Sequence, residues 1–396
     1  MKILICTDFY KNNLGGVTTS LLALSCGLKK LGHEVKILTL SADNCSYREK
    51  EAYYIASFPA NYAPGMRMSF EFDDPLIDQL IQWQPDIIHV QSEATVFLMA
   101  KKIAKKCHKP LIMTCHTDYA YFLVKEKKDL FIFKAIAYFL GKLVYGPAKV
   151  LVVPSKKACG FSFLQAHKDK MYVIPNGIQL ENFTQRLSMK QRQELKKRYG
   201  IKNEAKIMTA ITRLSKEKNI SELIEYLPDL LKEIPEAVLL IVGEGPDRKR
   251  LEKRVEQLQL QDHVVFSGYI AADDVWAYYD LADVFVSASV FEVHSMSNLE
   301  ALALGKPLLC RKDEALDGVL EDHENGFIYQ NKQEFVQYAK ILFNDEEVRK
   351  QMGLNSLEKA KQFSAESFGQ NAVALYESVI AETDPQQVLQ PNTDRV

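Results

Sequence analysis

A repeated alternation of short apolar runs with helical stretches is the feature that most constrains the fold of this 396-residue chain. In the first half, apolar runs rich in β-branched residues predict strands at 3–6, 34–39, 86–91, 110–114, 150–153 and 171–174. The intervening helices are clearest at 16–31, 94–106 and 156–166. Alternating strands and helices favour a mostly parallel sheet that is covered on both faces, so a Rossmann-like domain is predicted.

The pattern stops and then restarts. The turn-forming sequence Pro175-Asn176-Gly177-Ile178 and a polar helical stretch at 181–200 interrupt it. New strands are then predicted at 206–211, 237–242, 264–266, 283–287 and 307–309. The prediction is an α/β protein with two doubly wound domains that face each other across a cleft, at 1–178 and 179–365. We expect a C-terminal helix at 366–382 to pack back on the first domain, and a disordered tail at 383–396.

Composition restricts the cellular setting. The apolar run at 131–140 is about half the length of a membrane span and is broken by Lys134. Residues 2–6 read as a short buried strand rather than a secretory signal. Seven cysteines, with no C-x-x-C pair, favour a reducing compartment over a disulfide framework or a zinc site. A cytoplasmic protein is therefore predicted.

The net charge of −1 hides an asymmetry. Residues 1–175 contain 23 Lys and Arg against 15 Asp and Glu, and residues 101–170 contain 15 against 4. A basic region of this kind suits an anionic partner, which could be nucleic acid, a lipid surface or a phosphorylated substrate. A merely solvated lysine-rich surface is the alternative.

Two glutamates eight positions apart, Glu292 and Glu300, are the strongest functional signal. The first follows an apolar strand, and the second lies in the opening turns of the next helix. The carboxyl ends of parallel strands form the ligand-binding edge of open α/β sheets, so we expect both carboxylates in one crevice. Acceptors beside a helix N-terminus, which favours anions, suit a ligand with both hydroxyls and phosphate. A sugar nucleotide is such a ligand.

Other loops at the same edges carry complementary groups. Gly15 and Gly16 open the first helix, where the backbone can approach a phosphate closely. This loop matches neither G-x-G-x-x-G nor a P-loop, which argues against a dinucleotide dehydrogenase and a nucleoside triphosphatase. In the second half, Arg213 and Lys218 could neutralise a diphosphate, and the turn at Gly243 could border a nucleoside.

Taken together, these pieces resemble a family-4 glycosyltransferase of the GT-B fold over nearly the whole chain. The matching parts are the Gly15-Gly16 loop, His116 after a strand, the 174–178 seam, Arg213 with Lys218, the 243–245 turn, and the glutamate pair. The resemblance implies that Arg213 and Lys218 bind the donor diphosphate, Glu292 the sugar hydroxyls and Glu300 the ribose. It further implies that backbone groups at Ser295, Met296 and Ser297 hold phosphate, and that Gly16 approaches it from the first domain.

The segment between the glutamates departs from the family pattern. It reads Val-His-Ser-Met-Ser-Asn-Leu at 293–299, where the family usually has a glycine, so we expect bulkier side chains to narrow the pocket. The resemblance implies retention of anomeric configuration. No carboxylate is placed as a covalent nucleophile, so a front-face substitution is expected, with His116 near the reacting centre. Neither a metal nor a cofactor is expected besides the nucleotide sugar.

The acceptor is suggested by the basic region. Lysines flank the aromatic-rich segment at 131–140, a combination that suits a protein resting on an anionic membrane surface, although a buried helix would look the same. The segment at 116–121 also resembles bacterial diacylglycerol glucosyltransferases. The interpretation is a hexosyltransferase on the inner face of the cell membrane that moves glucose from a UDP-linked donor to a lipid such as diacylglycerol.

Two alternatives stay open. One is glycosyl transfer in the synthesis of a surface polysaccharide or lipid-linked glycan. The other is a catalytically silent protein that binds nucleotide sugars and docks on a membrane. Nucleic-acid binding is disfavoured, because the basic region carries no recognisable motif for it.

Overall fold

The computed structural model describes residues 1–10, 15–60, 66–118 and 130–383. The contacts within the chain divide it into two compact units. The first unit contains residues 1–177 together with the segment that begins at Ser364, and the second is Ile178–Phe363. The chain therefore leaves the first unit and later returns to it.

The first unit contains an eight-stranded sheet and a separate two-stranded ribbon. In chain order the strands are β1 (Lys2–Cys6), β2 (Glu34–Leu40), β3 (Tyr47–Glu49), β4 (Ala52–Ile55), β5 (Phe58–Pro59), β6 (Arg67–Met68), β7 (Ile87–Val90), β8 (Leu111–Thr114), β9 (Val150–Val153) and β10 (Met171–Val173). The sheet order is β10-β9-β8-β7-β1-β2-β4-β3, with β5 and β6 forming the ribbon. All neighbours in the sheet are parallel except β3 and β4.

The helices before the 174–178 seam are α1 (Gly16–Lys30), α2 (Pro75–Trp83), α3 (Thr95–Cys107) and α4 (Leu130–Tyr145). Of these, α2 has a clear N-terminal cap. Asp74 caps α2 by accepting a hydrogen bond from the Leu76 N–H at 2.8 Å, and Pro75 needs no partner at the first helical position. The helix predicted at 156–166 is instead a pair of 3-10 helices, Lys156–Gly160 and Ser162–Lys170, because Phe161 between them is extended.

The C-terminal helix, Ala365–Thr383, completes the core of the first unit. Phe368, Leu375 and Tyr376 pack in one buried cluster with α1 residues that include Leu21 and Leu24. Two glycines allow the close approach: a Cβ at Gly27 would lie 1.8 Å from the Ala365 carbonyl oxygen, and one at Gly369 would lie 2.7 Å from the Gly27 carbonyl carbon. The tail at 384–396 lies outside the described residues.

The second unit contains a six-stranded parallel sheet. The strands are β11 (Lys206–Ile211), β12 (Ala237–Val242), β13 (Val264–Gly268), β14 (Val284–Ser287), β15 (Leu308–Arg311) and β16 (Gly326–Tyr329), in the order β13-β12-β11-β14-β15-β16. Strand β12 is buried along its whole length, as a run covered on both faces requires. Strand β16 was not predicted, because Gly-Phe-Ile-Tyr follows a polar turn and is only four residues long.

Helices cover this second sheet. They are α5 (Met189–Arg198), α6 (Ile220–Glu233), α7 (Arg248–Gln257), α8 (Trp276–Leu281), α9 (Met296–Ala303), α10 (Lys332–Asn344) and α11 (Glu346–Lys361). Ser188 and Gln191 form a capping box at the start of α5, which is why the polar stretch after the seam becomes helical. The two parallel-sheet units confirm the predicted α/β fold class.

Candidate active site

Two loops at the carboxyl edge of the second sheet bring the predicted cation and carboxylate together. Lys218 follows β11 and Glu292 follows β14, and these two strands are neighbours. Lys218 Nζ donates to Glu292 Oε1 at 2.6 Å, with the two side chains 25% and 16% exposed. The ion pair is therefore partly shielded but within reach of a ligand.

Backbone contacts fix the two loops to each other. The Glu217 carbonyl oxygen accepts hydrogen bonds from the Val290 N–H at 2.9 Å and from Ser289 Oγ at 3.2 Å. A second hydrogen bond links Ser289 Oγ to the Phe291 carbonyl oxygen at 3.2 Å. The distance between Lys218 and Glu292 is thus set by the backbone as well as by the charges.

Arg213 lies in the same loop as Lys218 but is exposed. Among the described residues, no side-chain hydrogen bond or ion pair holds its guanidinium group. The loop itself is clamped by the next turn, since the Leu214 N–H donates to the Glu244 carbonyl oxygen at 2.9 Å. A Cβ at Gly243 would lie 2.0 Å from the Thr212 carbonyl oxygen, and Gly243 has φ +133°. Glycine is therefore required to bring this turn against the Arg213 loop.

Helix α9 begins beside the ion pair. Ser295 is its N-cap residue and makes no side-chain capping bond; its Oγ lies 3.1 Å from Ser297 Oγ. Met296 and Ser297 open the first turn, where backbone N–H groups lack partners within the helix. Ser297 lines a small cavity together with Lys218 and Glu292. Cation, carboxylate, hydroxyl and helix N-terminus thus meet at one place, a suitable environment for a phosphorylated sugar.

Two polar side chains of the 293–299 segment, which departs from the family pattern, lie in the core rather than in this cavity. His294 and Asn298 are buried, and the His294 ring lies 5.7 Å from the ring of Phe363. Burial lowers the pKa of His294 to about 4, so it is neutral at physiological pH. In the described part of the chain, His294 Nδ1 and Asn298 Oδ1 have no hydrogen-bond partner. Neither of these two side chains lines the cavity, whereas Ser297 of the same segment does, so narrowing of the pocket by this segment stays a prediction.

Glu300 lies on α9, farther from the cavity than Ser297, and is paired with a tyrosine. Tyr279 Oη donates to Glu300 Oε2 at 2.7 Å. Burial raises the pKa of Glu300 to about 7, because loss of hydration outweighs the stabilising hydrogen bond. This carboxyl group therefore changes protonation near neutral pH.

In the first unit, the Gly15-Gly16 turn opens α1. Gly15 is the N-cap residue in an extended conformation, and both glycines are exposed. Among the described residues, a Cβ at Gly15 would meet no atom within 4 Å. The first N–H groups of a helix are a suitable place for an anion.

His116 follows β8 and ends a chain of buried polar side chains. His116 Nε2 lies 2.8 Å from Gln91 Oε1, and Gln91 Nε2 lies 3.1 Å from His89 Nε2. His89 Nε2 also contacts Thr114 Oγ1 at 2.7 Å, and its Nδ1 lies 2.6 Å from Tyr376 Oη on the C-terminal helix. His89, Gln91, Thr114 and Tyr376 are all buried, whereas His116 is half-buried.

Asp8, which follows β1, has a structural function that the sequence analysis missed. Its Oδ1 accepts hydrogen bonds from the Val96 N–H at 3.0 Å and from Thr95 Oγ1 at 3.2 Å, and its Oδ2 accepts from Ser92 Oγ at 2.6 Å. Burial raises the pKa of Asp8, and these hydrogen bonds offset part of that shift. The carboxylate joins the end of β1 to the start of α3.

Comparison with known proteins identifies the family. The family described as "Glycosyltransferase Family 4" matches residues 14–182, and the one described as "Glycosyl transferases group 1" matches residues 191–359. The alpha-monoglucosyldiacylglycerol synthase of Streptococcus pneumoniae is 30% identical over 393 residues, which are 98% of this chain and 88% of that protein. The chain belongs to the family-4 glycosyltransferases.

Further comparisons support this glycosyltransferase assignment. The alpha-monoglucosyldiacylglycerol synthase of Acholeplasma laidlawii is 27% identical over 389 residues, covering 96% of this chain and 98% of that one. Among solved structures, Anabaena HepE in complex with UDP-glucose superimposes with a TM-score of 0.73 at 18% identity, over 96% of this chain and all of that one. The latter similarity confirms the predicted GT-B fold.

The glycosyltransferase has further site residues that sequence reasoning did not select. Gln91 contacts His116, and Tyr279 contacts Glu300. Gln91 follows strand β7 directly, so its position at the carboxyl edge of the sheet was a usable signal. Tyr279 lies inside the short helix α8, and nothing in its local sequence points to Glu300.

No metal site accompanies these residues in the ranges that the structure describes, where no three His, Cys, Asp or Glu side chains are grouped to hold an ion. The described helices also include none that is long and apolar enough to cross a membrane.

Proposed function

We propose that this glycosyltransferase transfers glucose from UDP-glucose to diacylglycerol with retention of the anomeric configuration. The observation that carries the proposal is full-length similarity to alpha-monoglucosyldiacylglycerol synthases in a chain that has the paired Lys218 and Glu292 at the N-terminus of α9.

In this proposal the donor diphosphate binds outside the small cavity lined by Lys218, Glu292 and Ser297, beside the N-terminus of α9. Arg213, exposed and unpaired among the described residues, and Lys218 neutralise the phosphates, while the first N–H groups of α9 and the Ser297 hydroxyl donate to their oxygens. Glu292 accepts hydrogen bonds from sugar hydroxyls, and Glu300 from the ribose. In the first unit, His116 and the Gly15-Gly16 turn contact the donor as well.

The reaction is a front-face substitution. The acceptor hydroxyl oxygen forms a bond to the anomeric carbon as the bond from that carbon to the β-phosphate oxygen breaks. The departing phosphate oxygen takes the hydroxyl proton, so the products are the α-glycoside and UDP. Positive charge from Arg213 and Lys218 stabilises the phosphate as it leaves, and positioning of the two substrates supplies much of the remaining rate.

A lipid acceptor requires contact with a membrane surface. On α4, the described side chains of Tyr138, Phe139, Leu140 and Leu143 are exposed, with Phe139 69% and Leu143 68% exposed. They lie within the 101–170 region, which has 15 basic residues against 4 acidic ones. Exposed aromatic and aliphatic groups in a basic region favour peripheral binding to the inner, anionic face of the cell membrane.

The test is a transfer assay with purified full-length protein, UDP-glucose and vesicles that contain diacylglycerol. Formation of monoglucosyldiacylglycerol, identified by mass, with an α-anomeric proton by NMR, supports the proposal. A β-linked product, or no lipid product with this donor, contradicts it. UDP-galactose, UDP-N-acetylglucosamine and GDP-mannose in parallel reactions define the donor, and a glycan acceptor tests the polysaccharide alternative.

A further inference from the structure

We infer that Gln91 is a positioning residue that holds the His116 ring in its Nε2–H tautomer, so that Nδ1 is the nitrogen that accepts a proton or a hydrogen bond from substrate. The inference rests on the proposed role of His116 at the donor. It assigns a function to a buried side chain outside the family motifs described above.

Strand geometry places four side chains on one face of the first sheet, namely His89, Gln91, Thr114 and His116. Strands β7 and β8 are parallel, with His89 opposite Ile112. Side chains two residues apart point to the same face, so His89 and Gln91 lie beside Thr114 and His116. The contacts of 2.8 Å and 3.1 Å to the two ends of the Gln91 amide follow from this register.

The direction of the hydrogen bonds follows from the orientation of the Gln91 amide, with Nε2 toward His89 and Oε1 toward His116. His89 is neutral, because burial and the nearby His116 lower its pKa to about 3. A glutamine amide nitrogen can only donate, so His89 Nε2 is the acceptor from Gln91 Nε2. The His89 proton then lies on Nδ1, which donates to Tyr376 Oη at 2.6 Å.

The other end of the amide determines the tautomer of His116. Gln91 Oε1 can only accept, so His116 Nε2 carries a proton and donates to it at 2.8 Å. In the neutral ring, Nδ1 then carries the lone pair. Because Gln91 is 2% exposed and bonded at both ends, it resists rotation and fixes the plane of the imidazole.

Two substitutions separate this role from simple packing. Gln91→Met keeps the approximate volume but removes both hydrogen bonds. Gln91→Glu places a carboxylate beside His116 Nε2 and stabilises the imidazolium form. Gln165→Met is the matched control, because Gln165 is also a hydrogen-bonded glutamine in the first unit, donating to the Cys159 and Phe161 carbonyl oxygens.

The first readout is NMR of ring ¹⁵N-labelled histidines, with the His116 signals assigned by their loss in His116→Ala. We expect the Nε2–H tautomer in the natural protein and in Gln165→Met, mixed tautomers in Gln91→Met, and a His116 pKa higher by one unit or more in Gln91→Glu. An Nδ1–H tautomer in the natural protein, or identical spectra in both Gln91 variants, overturns the inference. This readout needs no enzymatic activity, so it stands even if the proposed reaction fails.

The second readout is kinetic. Gln91→Met should lower kcat roughly 10- to 100-fold, as misplacement of a group at the reacting centre does, and Gln91→Glu should move the acidic limb of the pH profile upward. In a His116→Ala background, Gln91→Met should have little further effect. If Gln91→Met lowers kcat as much in the His116→Ala background as in the natural protein, Gln91 acts through packing instead, and this result also overturns the inference.

Discussion

Lys218 Nζ lies 2.6 Å from Glu292 Oε1, so the cation assigned to the leaving diphosphate and the carboxylate assigned to the sugar neutralise each other. Each charge thereby lowers the cost of holding the other in a partly shielded place. A bound donor would supply phosphate to the lysine and hydroxyls to the glutamate, so the pair is prepared for both.

The first prediction concerns the coupling within this pair. Lys218→Ala and Glu292→Ala should each lower kcat/KM for glucose transfer by roughly 100-fold or more, since each removes stabilisation at the reacting centre. The double variant should be much less impaired than the product of the two losses, because each single change leaves an unpaired charge. Kinetics of the four proteins measure this, and strictly multiplicative losses would show that the contact has no functional weight.

The second prediction concerns Glu300, whose pKa is about 7 in the folded chain against 4.5 when unperturbed. A carboxyl with a raised folded pKa stabilises the fold fully below about pH 4.5, and this contribution is lost as the pH rises through about 7. The side chain in Glu300→Gln stays neutral at every pH. The free energy of unfolding of this variant, relative to that of the natural protein, should therefore be higher by roughly 3 kcal/mol at pH 8 than at pH 4.5. Denaturation at both pH values measures this.

Ligand binding gives an independent check on Glu300. If its carboxylate accepts ribose hydroxyls, UDP should bind the natural protein more tightly as the pH rises through about 7, and Glu300→Gln should not show that rise. Calorimetric titration of UDP at several pH values measures it. An identical pH dependence in both proteins would assign the titration to another group.

The third prediction concerns the contact between α1 and the C-terminal helix. Gly27→Ala should destabilise the first unit by about 1–3 kcal/mol or more, since its Cβ would lie 1.8 Å from the Ala365 carbonyl oxygen. Gly160→Ala is the control, because a Cβ there would meet nothing within 4 Å. Thermal unfolding compares the two variants. Equal midpoints would contradict the prediction, because they would show that the close contact at Gly27 does not contribute to stability.

The fourth prediction concerns membrane binding by α4. Replacing both Phe139 and Leu143 with serine should weaken binding to phosphatidylglycerol vesicles roughly tenfold or more, because two exposed apolar groups can no longer enter the lipid. Leu354→Ser, at another exposed leucine, should change nothing. Flotation of vesicles with bound protein measures both. High salt should weaken binding in the natural protein, since the basic region contributes.

The fifth prediction is that transfer needs no metal ion. Because cationic side chains are proposed to neutralise the leaving diphosphate, dialysis against EDTA should leave the glucosyl transfer rate within about twofold. Added Mg²⁺ or Mn²⁺ should not raise it further. A rate that falls on dialysis and returns with a divalent cation would require a metal in the reaction.

Much of the fold could be predicted because the strands of both sheets are continuous apolar runs, which is how parallel strands covered on both faces appear in sequence. The strands β3 to β6 and β16 were not predicted. Strand β3 is exposed and polar, β5 and β6 have only two residues each, and β4 and β16 are short runs that follow polar turns. The loop positions of Lys218 and Glu292 were readable from the ends of their strands. Their direct contact was not, because it depends on which strands are neighbours in space.

The partners of the site residues were harder to predict. The bond from Tyr279 to Glu300 and the one from Tyr376 to His89 join residues that share no local pattern. The pKa of Glu300 follows from burial of its carboxyl group, which only the packed structure reveals. The same holds for His294 and Asn298, whose polar side chains lie in the core rather than in the cavity.

The return of the C-terminal helix to the first unit imposes an order on biosynthesis. The surface of α1 around Gly27 and the Nδ1 atom of His89 gain their partners on the C-terminal helix only after the ribosome has made the whole of Ile178–Phe363, roughly 10 to 40 s later at typical rates of translation. During that interval the nascent first unit lacks Phe368, Leu375 and Tyr376, which complete its buried apolar cluster. The second unit, continuous in sequence, can fold as soon as it leaves the exit tunnel, so the half made first is the half completed last.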